Sequence, residues 1–314
     1  MNLEEEIRRG FTVSAEMKQI WKIQMDLLKK LLSVCEKYNL KIWADGGTLL
    51  GTVREHGYIP WDDDIDMAML RNDYDKLVEI APKEFEHPYF FQCAYYDNDY
   101  YIGHAQLRMN GTSAVILDQA ISGYRFHMGI FIDIFPYDAI PDNPTEFKIL
   151  AEQRTRILQR MHKIASGWDP IHPFSSLVCL FRNRILPSLL LKLETVLRRY
   201  RIEDCKNVSC ISFIVDPEHF LRNKHWYDET VLLPFEDIRI PVPIGYDQIL
   251  SKQYGDYMTP VKAGSYHGSF WFLSAEKPYY VFLKEREKEI KRMRQDRIKT
   301  RCSKLFKRVI GFLI

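Results

Sequence analysis

The chain has no Cys-x-x-Cys pair, no internal repeat, no low-complexity segment and no uncharged run near the ~18 residues of a membrane span. Each absence excludes something. The six cysteines (Cys35, Cys93, Cys179, Cys205, Cys210 and Cys302) are irregularly spaced. Cys205 and Cys210 lack the following Cys or His pair that a tetrahedral zinc site needs, so buried, reduced thiols are the expectation. The N-terminus, MNLEEEIRRG, is charged where a signal peptide is apolar, which points to a cytoplasmic protein. An excess of one charge is also missing: a formal +2 over 314 residues suggests no nucleic-acid partner.

What is there is a large core and an uneven distribution of charge. At 46% hydrophobic the chain can fill one large or two modest domains. From Lys284 to Ile314, 12 Lys and Arg face 4 Asp and Glu, a local charge of +8, so the preceding residues carry −6. Periodicity predicts a long amphipathic helix over Ser14 to Tyr38 and a short strand over Leu40 to Ala44. A brief helix with Thr48 as N-cap follows over Thr48 to Arg54, then a strand over Ile65 to Leu70 and a helix over Asn72 to Ile80. Strands are expected at Tyr89 to Tyr96, Gly103 to Met109 and Thr112 to Leu117, the last two joined by an Asn110-Gly111 hairpin turn. The apolar run Gly129 to Phe135 (GIFIDIF) reads as a central strand. Helices are then expected over Thr145 to Ala165 and Ser175 to Arg201, with Pro187 interrupting the second. Mixed elements first and helices second favour an α+β fold: a mixed-sheet core with flanking helices and a helical C-terminal region. The boundaries expected are 1–143 for the catalytic core, 144–283 for a region completing the site, and 284–314 for a basic amphipathic tail.

The chemistry concentrates in WADGGTLLGTVREHGYIPWDDDIDMAML, Trp43 to Leu70. On a strand, Asp64 and Asp66 share one face while Ile65 and Met67 pack on the other. Two carboxylates that close repel unless one takes a proton or a cation lies between them, and hard cations such as Mg²⁺ take carboxylate oxygens. A solvated acidic turn is the plain alternative. Asp133, alone inside GIFIDIF, is costly to bury unless paired, hydrogen-bonded or on a metal. If its strand neighbours that of Asp64 and Asp66, three carboxylates converge. Gly46-Gly47 before Thr48 lets backbone approach a phosphate at a helix N-terminus, and Arg54 is either a bidentate phosphate ligand or a surface arginine. An EF-hand beginning at Asp62 fails because Met67 and Asp73 stand where Gly and Glu are required. A P-loop fails because Thr52 stands in place of Lys. A nucleotide-sugar glycosyltransferase using the D-x-D remains the alternative enzyme class.

The stretch DGGTLLGTVREHGYIPWDDDIDMAM resembles the signature of the LicD family, phosphotransferases that include bacterial phosphocholine transferases and the fukutin-related proteins. GIFIDIFPYD (Gly129 to Asp138) and PVPIGYDQILSKQYGDYMTP (Pro241 to Pro260) extend the resemblance, which runs from about Trp21 to His267. It implies a nucleotidyltransferase-like core with the metal, Mg²⁺ or Mn²⁺, on Asp64, Asp66 and Asp133. It also implies a CDP-alcohol donor such as CDP-choline and a glycan or lipid-linked glycan acceptor. Gly46, Gly47, Thr48 and Arg54 would then hold phosphates, Asp45 or Asp62 would take the acceptor proton, and Asp256 and His267 would complete the site. His267 reads equally as a packing histidine. Tyr95, Tyr96, Tyr100 and Tyr101 are candidates for an aromatic cage around a quaternary ammonium. The tail, charged to Arg301 and apolar from Leu305, suggests peripheral contact with the cytoplasmic face of a membrane, or a subunit-docking helix.

Overall fold

The computed structural model describes residues 1–97, 99–165, 182–212, 220–261 and 270–311. A small hairpin, β1 (Glu6–Arg8) with β2 (Phe11–Val13), leads into α1 (Ala15–Lys37). Ser14 caps α1, its hydroxyl accepting from the Met17 N–H at 3.2 Å, and Asn39 leaves the helix at φ +51°. The inner face of α1 buries Trp21, Leu27, Leu28 and Leu31 completely, each worth roughly 1.5–3 kcal/mol. It also buries two polar residues, Lys18 and Gln24.

Next come β3 (Trp43–Ala44), α2 (Gly46–Arg54), β4 (Asp66–Leu70) and α3 (Arg71–Glu84). Thr48 is not the N-cap of α2. That position belongs to Asp45, and Thr48 lies inside the helix. After β5 (Tyr89–Gln92), β6 (Ala105–Met109), β7 (Ser113–Val115) and α4 (Leu117–Ser122) comes β8 (Phe131–Ile140), longer than expected and central. The strand β4 runs parallel along one side of β8, with Asp66 beside Asp133. On the other side, β6 pairs antiparallel with the first half of β8. Its second half pairs antiparallel with β9 (Asn207–Ser209), which is followed by β10 (Arg222–Asn223).

The expected hairpin at Asn110-Gly111 is not formed. Gly111 turns the chain at φ +81°, but β7 leaves β6 and pairs with β13 (Phe272–Ser274), far along the chain. The helices α5 (Pro144–Ala165) and α6 (Arg182–Leu197) pack on each other through Leu150, Ile157, Leu186 and Leu193. Pro187 lies within α6, and the expected start of that helix at Ser175 lies outside the described residues. The hairpin β11 (Thr230–Phe235) with β12 (Ile238–Pro243) leads into α7 (Tyr246–Tyr254). After β13 come α8 (Tyr279–Glu285) and α9 (Glu287–Gly311). The base of α9 is fixed to α4: Arg294 Nε donates to the Ile121 carbonyl, and Arg297 pairs with Asp118, both at 2.8 Å. Among the described residues no helix is long and apolar enough to cross a membrane.

Candidate functional site

The two aspartates of the D-x-D and the one in GIFIDIF meet. Asp64 ends the loop before β4, Asp66 begins that strand, and Asp133 is its register partner on β8. A ligand oxygen from each lies within 4.8 Å of the others. Ile65 and Met67 are fully buried on the opposite face, so the alternation fixes where the carboxylates point. Burial, and then the charges of Asp64 and Asp133, push the Asp66 carboxyl well above the usual range. Asp62, Asp63 and Asp64 form a second close group on the approaching loop.

The glycine turn delivers a helix N-terminus to this cluster. Gly46 has φ +50°, and a Cβ there would meet Asp66 Oδ2 at 2.7 Å; one on Gly47 would meet Asp62 Oδ2 at 2.5 Å. Neither position admits a side chain without moving a carboxylate. The Thr48 hydroxyl accepts from the Asp66 backbone N–H at 2.8 Å, which ties α2 to the start of β4. From behind, α1 holds the acidic loop: the Trp21 indole N–H donates to the Asp62 carbonyl and Gln24 Nε2 to that of Asp63.

A further set of residues was invisible to sequence reasoning. His104 Nε2 and Gln106 Nε2 both meet Asp133 Oδ1, at 2.9 and 2.7 Å, and Arg108 orients Gln106 by donating to its oxygen. Buried Arg222 donates to Asp45 Oδ1 at 2.6 Å and to Gln253 Oε1 at 3.0 Å, while Tyr137 donates to Asp45 Oδ2 at 2.8 Å. Gln253 in turn donates to the Tyr254 hydroxyl at 3.0 Å. Burial, then the charges of Asp45 and Asp66, push that hydroxyl's pKa up.

Other expected residues are placed elsewhere. Arg54 stands at the far end of α2, roughly 12 Å along the helix from Gly46. Its guanidinium donates to Glu55 and to the Tyr257 carbonyl. The arginine beside the glycine turn is Arg222. Asp138, further along β8, is bound at both oxygens by Arg71, at 2.6 and 2.8 Å. Asp256 is exposed and accepts from Thr259. His267 lies outside the described residues. The four tyrosines do not gather: Tyr95 bonds Glu194, Tyr96 bonds the Val78 carbonyl and Tyr100 is fully buried.

The donor set fits a hard divalent cation. The cluster offers only oxygen ligands, and Asp66 responds to its crowded neighbours as an uncompensated carboxylate does. A glycine-headed helix thus stands against a D-x-D strand, with a third carboxylate on the parallel neighbour.

Residues 39–163 match the family model described as LicD/FKTN/FKRP, nucleotidyltransferase domain. It is similar to the lipopolysaccharide cholinephosphotransferase LicD of Haemophilus influenzae, 27% identical over 242 residues, covering 74% of this chain and 88% of that protein. Shorter likenesses extend to uncharacterised proteins of Rickettsia prowazekii (42% over 57 residues, 18% of this chain and 21% of that protein) and Rickettsia typhi (40% over 57 residues, 18% of each).

Proposed function

We propose that this protein transfers a phospho-alcohol, phosphocholine or a close analogue, from a CDP-activated donor to a hydroxyl of a cell-surface glycan or lipopolysaccharide, with Mg²⁺ or Mn²⁺ as cofactor. The observation that carries the proposal is the meeting of Asp64, Asp66 and Asp133 at the head of α2, in a chain similar along three quarters of its length to a lipopolysaccharide cholinephosphotransferase. Asp64, Asp66 and Asp133 would hold the ion, whose charge offsets that of the donor's diphosphate. The N-terminus of α2 presents its positive end to the same phosphates. His104 and Gln106 fix the rotamer of Asp133. Asp45 accepts from Arg222 and Tyr137, which suits a positioning role, and Asp62, whose Oδ2 lies against Gly47 at the head of α2, would take the acceptor proton. In-line attack by the glycan hydroxyl forms the new phosphodiester and releases CMP.

The nucleotide-sugar alternative releases a nucleoside diphosphate from a UDP-sugar, so the leaving nucleotide separates the two. A panel of CDP-choline, CDP-glycerol, CDP-ribitol and UDP-sugars, assayed for released nucleotide, tests the proposal. CMP released from a CDP-alcohol and dependent on divalent cation is the expected result; release only from a UDP-sugar contradicts it. The basic helix α9 is assigned peripheral contact with an anionic membrane that presents the lipid-linked acceptor. Deleting residues after Thr300 should abolish flotation with anionic vesicles and leave neutral vesicles unchanged. A lost dimer with unchanged flotation would assign the tail to subunit docking.

A further inference from the structure

A cavity of about 560 Å³ is walled by the approach to β6, by α4 and the loop after it, and by α5. We infer that it is the acceptor subsite and that its ligand is a carbohydrate; the inference rests on the phosphotransfer reading above. Its position supports this. Ile102 and Gly103 in its wall directly precede His104, whose ring holds Asp133, so the wall lies one strand residue, ~3.3 Å of chain, from that support. Gly103 sits so close to the Ser212 carbonyl that no Cβ fits there, which closes that side.

The lining has the chemistry of a sugar site. Tyr101 and Tyr124 offer aromatic faces, Tyr124 backed by the buried ring of Phe126 at 5.1 Å, and Gln119 and Gln159 stand around them. Aromatic faces pack against the C–H faces of pyranose rings. Amide side chains, each both donor and acceptor, match the hydroxyl edges. The volume suits a ligand of several rings. A small quaternary ammonium would leave most of it unfilled. It would also meet buried Arg154 in the wall, and the carboxylate of Asp118 is already paired with Arg297. The donor's diphosphate belongs at the head of α2, on the side of the carboxylates where Arg222 and Tyr254 stand.

The probe is core oligosaccharide freed of lipid from lipopolysaccharide, offered to wild type, Tyr124→Ala and Gln159→Ala. Gln159 is exposed on α5, so its variant folds even if the loss of the half-buried tyrosine unsettles the other. Expected for Tyr124→Ala is a KM for the oligosaccharide raised roughly tenfold, with a smaller rise for Gln159→Ala. Saturation transfer from protein to sugar should weaken in both, while KM for CDP-choline and its acceptor-independent hydrolysis stay at wild-type values. Variants that raise KM for CDP-choline and leave that of the oligosaccharide unchanged would overturn the inference, as would undiminished saturation transfer in both. A wild type that turns over no CDP-alcohol yet shows cavity-dependent saturation transfer would defeat the phosphotransfer reading and keep the carbohydrate site.

Discussion

The two ends of β8 treat an aspartate in opposite ways. Near the start, Asp133 stands among Asp64 and Asp66 and is held by an imidazole and an amide. Five residues on, Asp138 is almost fully buried and bound at both oxygens by the Arg71 guanidinium. One carboxylate is neutralised within the fold, and the other is gathered with further negative charge. Such a cluster persists with a proton on one carboxylate or a cation among them; in the proposed function the Asp133 end is the working end and the Asp138 end a strut.

The largest effect expected is at Asp66. Asp66→Asn should remove most turnover, at least ~10³-fold, with the fold intact. Because Asp66 is held above its ordinary carboxylate range in the fold, ionising it near neutral pH opposes folding. Removing that charge should therefore raise the melting temperature in EDTA by roughly 2–4 °C. Mg²⁺ should stabilise wild type and not the variant, as followed by thermal melts.

The paired substitutions on β8 come next. Asp133→Asn should cost at least ~10²-fold in rate, about 2.7 kcal/mol of barrier, with little change in melting. Asp138→Asn should show the reverse, a stability loss of roughly 3–5 kcal/mol with turnover per folded molecule kept. Denaturant titrations beside initial rates decide this. If both variants lose rate and neither loses stability, the contrast between the two ends is false.

Two arginines sharpen the comparison further. Arg222→Ala should cost more rate than Arg54→Ala, because Arg222 anchors Asp45 at the glycine turn and Arg54 bonds away from it.

The last effect is absent at neutral pH and grows as pH falls. Burial pushes the His127 pKa down to about 3, so the unfolded chain binds a proton that the native state refuses. Stability should fall as pH drops from about 6.5 towards 3, by ~1.4 kcal/mol per unit for that one proton. His127→Gln should lack this contribution to the slope in denaturant titrations run at several pH values.

Asp64, Asp66 and Asp133 were legible in the sequence because a carboxylate in an apolar strand has few physical excuses. The helix α1 and the strand β8 were legible because their apolar patterns are long. Local reading failed where the partner is remote. Asn110-Gly111 does turn the chain, but the mate of β7 is Phe272 to Ser274. Arg54 looked close to Gly46 by count, and a nine-residue helix carries it to the other end. Arg222 reaches Asp45 across 177 residues, and nothing in its surroundings marks it as part of a site. His104 and Gln106 look like ordinary polar positions until the pairing of β6 with β8 sets them against Asp133.

The proposed function requires the Asp133 end of β8 to hold a divalent cation. Electron paramagnetic resonance of Mn²⁺ titrated into wild type and Asp133→Asn tests it most directly. Expected is binding to wild type, competed by Mg²⁺, and an affinity at least roughly tenfold weaker in the variant, equivalent to about 1.4 kcal/mol. Equal binding by the two proteins, or none by wild type, would contradict it.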